Sequence, residues 1–272
     1  MDNKRMKELK NMPESYWIAS TEAKDYPSLD NDIDVDIAIV GGGMVGILTA
    51  YQLQKSDREI AILEGGKIVE GVTAYTTGKI TSQHNLIYGK LIKQFGKELA
   101  QQYAQANQMA IREIKKIADE NKIDCDYSIE PAFIYTQEKN YIKQIKEEVE
   151  GAKTLGIQAT YIDEIPLSIP IKAGVRFDDQ AQFHPRKLLL PLAEKIKSKG
   201  VKIYEQSRVV ELNEIEDGKY ILTTSNGHNI TANKVIIASH YPFYNKIAMY
   251  YTRIYQTRAY GIVIKAEEKF PG

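Results

Sequence analysis

Cysteine is almost absent from this sequence. Cys125 stands alone among 272 residues, which excludes a disulfide framework, a thiolate metal site and a Cys-x-x-Cys redox pair, and leaves a buried, inert thiol as its reading. Net charge is missing too. Lys and Arg number 36, as do Asp and Glu, so there is no basic field to draw in nucleic acid, and small clusters such as Lys115-Lys116 read as solvated surface. No apolar run is long enough to span a bilayer, and the polar stretch Met1 to Lys10 lacks the apolar core of a secretory signal. A cytoplasmic protein with no membrane span and no nucleic-acid partner is expected. No pair of carboxylates or triad suited to hydrolytic chemistry stands out.

What is present centres on one stretch. Val35-Asp36-Ile37-Ala38-Ile39-Val40 reads as a strand, Gly41-Gly42-Gly43 as a turn, and Met44-Val45-Gly46-Ile47-Leu48 as the start of an apolar helix. The spacing Gly41-x-Gly43-x-x-Gly46 is what a strand-turn-helix needs to bring main chain against a diphosphate. Gly41 permits the tight turn, Gly43 removes the side chain that would block the phosphates, and Gly46 lets helix and strand pack closely. The first free amides of the helix then face the anion. A second strand, Ile60 to Leu63, ends in Glu64, 18 residues past Gly46, where a carboxylate accepts hydrogen bonds from adenosine ribose hydroxyls. Strand, helix and acidic terminator together point to dinucleotide binding. NAD and FAD share the ADP half, so this unit alone does not choose between them.

Hydrophobic residues form 43% of the chain, enough for one large core or two modest ones, and two interleaved domains are expected. Residues 1–33 read as an extended arm, with Tyr16-Trp17 docking as a hydrophobic anchor. Residues 65–81 form a long glycine- and threonine-rich loop, a length that usually marks function. Between Leu86 and Lys122, the positions Leu91, Phe95, Leu99, Tyr103, Ala106, Ala110, Ile114 and Ile117 recur at helical spacing, predicting one long helix or two meeting near Gly96, with this stripe as core. A strand over 127–136, a helix over 139–155 and a strand over 158–162 follow. Residues 173–177 and 181–184 read as a hairpin turning at Asp178-Asp179-Gln180. Pro185 opens a helix stopped by Gly200, and Val201 to Tyr204 is a candidate third parallel strand of the dinucleotide sheet. Segments 208–215, 220–224 and 228–231 read as strands joined by the turns Asp217-Gly218 and Asn226-Gly227. Lys234 to Ser239 reads as a buried parallel strand, and Arg258 to Ala266 as another strand.

This order of elements resembles the FAD-dependent D-amino-acid and amine oxidase superfamily. The glycine turn with Glu64, the loop Val72 to Ile80, and Arg208-Val209-Val210 followed by Val235-Ile236-Ile237-Ala238-Ser239-His240 carry the match. Shorter strings, Tyr75-Thr76-Thr77-Gly78-Lys79-Ile80-Thr81-x-x-His84 and Ser239-His240-Tyr241-Pro242-Phe243, resemble bacterial members whose flavoprotein part is followed by a C-terminal Rieske iron–sulfur domain. The resemblance implies an α/β fold: a Rossmann-like FAD-binding domain over 34–125 and 185–246, and a mixed, β-rich substrate domain over 126–184 and 247–272. It implies FAD rather than NAD, oxidation of a small amine or amino acid by hydride transfer to the flavin, and electrons leaving to oxygen or an iron–sulfur acceptor. Family members continue through further substrate strands to a glycine-containing return segment that has no counterpart here, nor do the Cys/His pairs of a cluster, so a shortened chain is expected. The rival readings are a NAD(P)-dependent reductase and a non-catalytic FAD-binding fragment.

Carried over by residue, the resemblance implies that Gly41, Gly43 and Gly46 approach the pyrophosphate and that Glu64 takes the ribose. It implies that Thr73, Thr76, Thr77, Gly78 and Lys79 line the pyrophosphate-to-flavin segment, that Val210 or Val209 meets adenine through its backbone, and that Ala238-Ser239 crosses near the diphosphate. Lys79 reads equally as a cation at the flavin edge and as a phosphate counter-ion. No catalytic residue is singled out. His84 and His184 suit structural hydrogen bonds, His184 at the corner leading into Pro185, while His240-Tyr241 sits at the strand edge where ligands collect. Tyr127, Tyr135, Arg176, Tyr255, Arg258 and Tyr260 are candidates for a substrate pocket, Arg258 as a bidentate partner for a carboxylate.

Overall fold

The computed structural model describes residues 14–241, 243–244, 249–255 and 257. By contact they group into two compact units, 14–77 with 184–257, and 78–183. This places 78–125 with the second unit, an earlier boundary than the one read from the sequence at 125.

The first unit opens with a short helix, α1 (Tyr16–Ala19), and an extended stretch leading to β1 (Ile33–Val40). The glycine turn then feeds α2 (Met44–Leu53), and β2 (Ile60–Leu63) follows, paired parallel to β1 from Ile37 opposite Ile60 to Val40 opposite Leu63. All four residues of β2 are buried, and the side chains of Ile60, Ile62 and Leu63 are worth about 1.5–3 kcal/mol each.

The second unit holds β3 (Lys79–Ile80), α3 (Tyr88–Glu120), β4 (Ser128–Thr136), α4 (Ile142–Thr154), β5 (Ala159–Ile162) and β6 (Ala173–Gln182). Its sheet is antiparallel around β6, which pairs with β3, β4 and β5. The expected hairpin at Asp178-Asp179-Gln180 is instead one continuous strand. Asp179 takes a left-handed φ of 55°, and the β4 register slips between Glu130 and Ala132, so the turn-favouring residues form a bulge opposite Pro131, which has no N–H to give the ladder. The expected core stripe on α3 is also displaced. Ala100, Ala104, Ile111 and Ile117 are buried, while Phe95, Leu99 and Tyr103 are exposed. Gly96, at φ 79° and ψ 166°, breaks the helical path, so the apolar periodicity on its two sides does not describe one face.

The chain then returns to the first unit through α5 (Pro185–Ser198), β7 (Lys202–Tyr204), β8 (Val209–Glu214), β9 (Tyr220–Thr224) and β10 (Asn229–Ile237). The sheet order is β7-β2-β1-β10-β9-β8, with β7 parallel to β2 as the sequence predicts. The two segments expected around 228–239 are a single strand. It pairs with β9 over Asn229–Ala232 and parallel to β1 over Ile230–Ile237, and Asn233 Nδ2 donates to Asp36 Oδ1 at 3.0 Å across the junction. Its last residues are half-exposed rather than buried. One face of this sheet packs Leu29, Val35, Ala38, Leu63, Leu222 and Ile230 into a core. The strand expected over Arg258 to Ala266 lies outside the described residues. Among the described residues no helix is long and apolar enough to cross a membrane.

Candidate functional site

The carboxyl ends of β1, β2 and β10 open into a cleft of about 630 Å³ in the first unit. Seven of the residues expected from the sequence to meet the cofactor line it: Gly41, Gly43, Glu64, Thr73, Thr76, Ala238 and Ser239. Gly41 has φ 114°, a region closed to residues with a side chain, and a Cβ there would lie 2.5 Å from Ala238 O. Gly46 sits beneath the cleft, where a Cβ would lie 1.9 Å from Gly41 O. Its place is close packing of helix on strand. Gly43 differs from both. Its φ of −81° and ψ of −166° suit any residue, and a Cβ would meet only Thr73 Oγ1, at 3.2 Å.

Gly43 begins α2 without a side-chain cap of its own. The missing cap comes from the loop, as Thr73 Oγ1 accepts from Met44 N at 3.0 Å. The next two amides, of Val45 and Gly46, make no hydrogen bond to a described residue. They are the unfilled donors that every helix start presents, at its positive end. Glu64 faces the same space. Its Oε2 accepts from Gly42 N and its Oε1 from Gly66 N, both at 2.8 Å. Each oxygen keeps a lone pair for a further donor.

Most of the remaining candidates are not among the residues that line this cleft. Thr77 is exposed and outside the cleft lining, and Val210 is 54% exposed on β8. Gly78 and Lys79 belong to the second unit, where Lys79 pairs with Gln182 on β6 and is exposed. His84 Nε2 lies 3.2 Å from Asn107 Oδ1. Arg176 donates through Nε to Asp178 Oδ1 at 2.7 Å, Tyr127 lies under Lys115, and Tyr135 and Tyr255 are exposed. Arg258 and Tyr260 lie outside the described residues, as does Pro242. The Tyr88 hydroxyl donates to Ser82 O at 2.6 Å, and burial pushes its pKa up to about 12, which removes it from acid–base work at neutral pH. His184 caps α5, its Nδ1 accepting from Lys187 N at 3.2 Å. His240 and Tyr241 do line the cleft.

Two buried charges that shape the cleft went unread in the sequence. Arg186, 1% exposed, donates through Nη1 to Val69 O at 3.1 Å and through Nε to Thr21 Oγ1 at 2.8 Å. Val69 has a φ of 55°, unusual for a β-branched residue, and its N–H donates to Gly42 O at 3.0 Å. Glu205, 3% exposed, accepts from Ile68 N at 2.8 Å and Tyr26 N at 3.2 Å. A signal for Arg186 existed, since it shares the helical phase of buried Leu189, Ala193 and Ile196. Glu205 sits in an irregular stretch and left none. Among the described residues no group of three or more His, Cys, Asp or Glu is placed to hold a metal ion.

A family model described as FAD dependent oxidoreductase matches residues 36–271. A Bacillus subtilis protein named "Putative Rieske 2Fe-2S iron-sulfur protein YhfW" is 37% identical over 262 residues, covering 96% of this chain and 51% of that protein. Gamma-glutamylputrescine oxidoreductase of Escherichia coli is 24% identical over 230 residues, covering 82% and 53%. Among solved structures, glycine oxidase from Geobacillus kaustophilus has a TM-score of 0.62 at 19% identity, over 76% of this chain and 55% of that one, a likeness of fold. The chain spans about half the length of the curated relatives it matches.

Proposed function

The chain belongs to the family of FAD-dependent oxidoreductases, and from that premise we propose that its first unit holds the ADP half of FAD in the β1–α2 cleft, within an enzyme that oxidises a small amine or amino acid. One observation carries the cofactor placement: bare main chain at Gly43 and the start of α2 at Met44 and Val45, where the Val45 amide is open, line the same cleft as a carboxylate held by its own backbone hydrogen bonds. The group fits. The amides and the positive helix end suit a diphosphate, and the spare lone pairs of Glu64 suit ribose hydroxyls. Thr73 and Thr76 supply polar walls, and Ala238-Ser239 supplies main chain opposite Gly41. Gly46 serves by packing. Thr77, Gly78, Lys79 and Val210 enter the proposal through resemblance alone.

When bound, FAD supplies the acceptor for a hydride leaving the carbon beside the amine nitrogen. The protein's part is to bind and orient. The second unit is the substrate domain in this reading, and the electrons pass on to oxygen or to an iron–sulfur partner, the latter supported by the name of the Bacillus subtilis relative. A cytoplasmic location belongs to the same reading, supported by a single buried thiol that needs no oxidising compartment.

Anaerobic addition of small amines and amino acids to the FAD-loaded chain tests this. Bleaching of the oxidised-flavin absorption by a member of the panel supports an oxidase or dehydrogenase. Bound FAD that no amine or amino acid reduces assigns this chain to cofactor binding without oxidation.

A further inference from the structure

The arm ahead of β1 precedes the stretch that the family model matches, yet its side chains converge on the loop that walls the cleft. Ser15 Oγ donates to Ala74 O. Trp17 Nε1 donates to Thr76 O at 2.8 Å. Thr21 Oγ1 accepts from Arg186, which also holds Val69 O. Tyr26 N shares the Glu205 carboxylate with Ile68 N. Residues 68–76 thus have three carbonyls and one amide fastened from the arm side, directly or through one buried charge. The same loop turns Thr73 and Thr76 into the cleft and caps α2 with Thr73. Within itself the loop holds one short 3-10 turn, Val72–Tyr75, entered through Ala74 N on Gly71 O.

A loop of this kind, left alone, loses conformational entropy when a ligand orders it, and that loss weakens binding. We propose that the arm is a clamp that sets the 68–76 loop in its cofactor-binding geometry before FAD arrives, with Trp17 as a positioning residue. The inference rests on the FAD reading given above. The Trp17 ring also packs edge-on to His184 at 4.7 Å between centroids, so its hydrogen bond and its packing can be separated. Trp17→Phe keeps an aromatic ring and deletes the indole N–H. Ser15→Ala deletes the second donor.

The test uses the full chain carrying both substitutions, with Lys24→Ala as a control that removes only an exposed ion pair of the same arm to Glu194. Amide exchange in the FAD-free protein reads the loop without the cofactor, FAD titration reads affinity, and thermal unfolding reads the fold. The clamp requires faster exchange confined to residues 68–76 and an FAD dissociation constant raised about tenfold, because apparent affinity falls with the fraction of protein already in the binding geometry. It also requires an unfolding temperature close to that of the parent, and a control that behaves like the parent. Unchanged exchange in the loop overturns the clamp, and so does faster exchange with unchanged FAD affinity. A parent chain that binds no FAD overturns the cofactor reading itself, and the exchange data then show whether the arm orders the loop for anything else. Should the double variant unfold, Trp17→Phe alone, read by the same exchange and titration, decides between these outcomes.

Discussion

Gly43→Ala separates what the fold needs from what the ligand needs. The backbone at Gly43 is one that alanine adopts freely, and the added methyl meets only Thr73 Oγ1 at 3.2 Å, which a few tenths of an ångström relieve. Restricting the unfolded chain favours the variant by about 0.4–1 kcal/mol. Alanine's poorer performance at a helix start opposes this by a similar amount, about 0.5–1 kcal/mol. The two nearly cancel. For a chain of this size a residual of about 1 kcal/mol moves the unfolding temperature by about 2–4 °C. The same methyl would project from the wall that Gly43, Met44 and Val45 give the cleft, and holding a diphosphate off the helix start forfeits hydrogen bonds to a charged group worth about 1.5–3 kcal/mol each. Losing two of them costs at least about 3 kcal/mol, or more than a hundredfold in FAD affinity. Gly46→Ala is the contrast. Its Cβ would lie 1.9 Å from Gly41 O, so helix and turn must part by more than about 1 Å, an overpacking worth about 3 kcal/mol and about 6–12 °C. Thermal unfolding of the FAD-free proteins and titration with FAD give both numbers. A Gly43→Ala protein that binds FAD like the parent, or that melts as early as Gly46→Ala, refutes the reasoning.

Arg186→Met leaves Val69 O buried without its partner and frees a strained backbone, and we expect a loss of about 2–4 kcal/mol in denaturant unfolding; parent-like stability contradicts this. Arg186→Lys recovers only part of it, because one ammonium replaces a fork that spans Val69 and Thr21. Burial pushes the Glu148 carboxyl above the usual range, opposed by the amides of Tyr88, Gly89 and Ile87. The native state therefore holds more protons than the unfolded one as pH rises from about 4.3, and stability falls across that window. Relative to the parent, Glu148→Gln gains stability as pH rises from 4 to 7, and a constant difference in melting temperature contradicts this. Asp36 runs the other way. The Glu59 amide, Asn233 and Arg58 hold its pKa down, so its contribution is present at neutral pH and is lost as pH falls below about 4. The deficit of Asp36→Asn therefore shrinks in acid, and a deficit that persists at low pH counts against it.

The β1-turn-α2-β2 unit was legible because its signals are local and agree: strand period, glycine spacing and a carboxylate at the strand end. The Pro185 helix and its Gly200 stop were legible for the same reason. Local signals failed where pairing outweighed them. Asp178-Asp179 have turn chemistry, but β4 and β5 flank β6 on both sides, and the ladder continues through a bulge. The apolar stripe on α3 runs unbroken in the sequence, yet Gly96 breaks the helical path, and beyond it the buried face runs through Ala100 and Ala104, one position on from the exposed Leu99 and Tyr103. Arg186 and Glu205 act on residues more than a hundred positions away, a separation that no periodicity reveals. Lys79 pairs with Gln182 within the second unit, and its place near the cofactor rests on the resemblance alone.

Titration of FAD into the FAD-free chain, with ADP as competitor, tests the central claim most directly. The account predicts saturable binding of one FAD per chain, displacement by ADP, and weakening of both by Glu64→Ala. Absence of saturable binding, or binding that ADP does not displace, contradicts it.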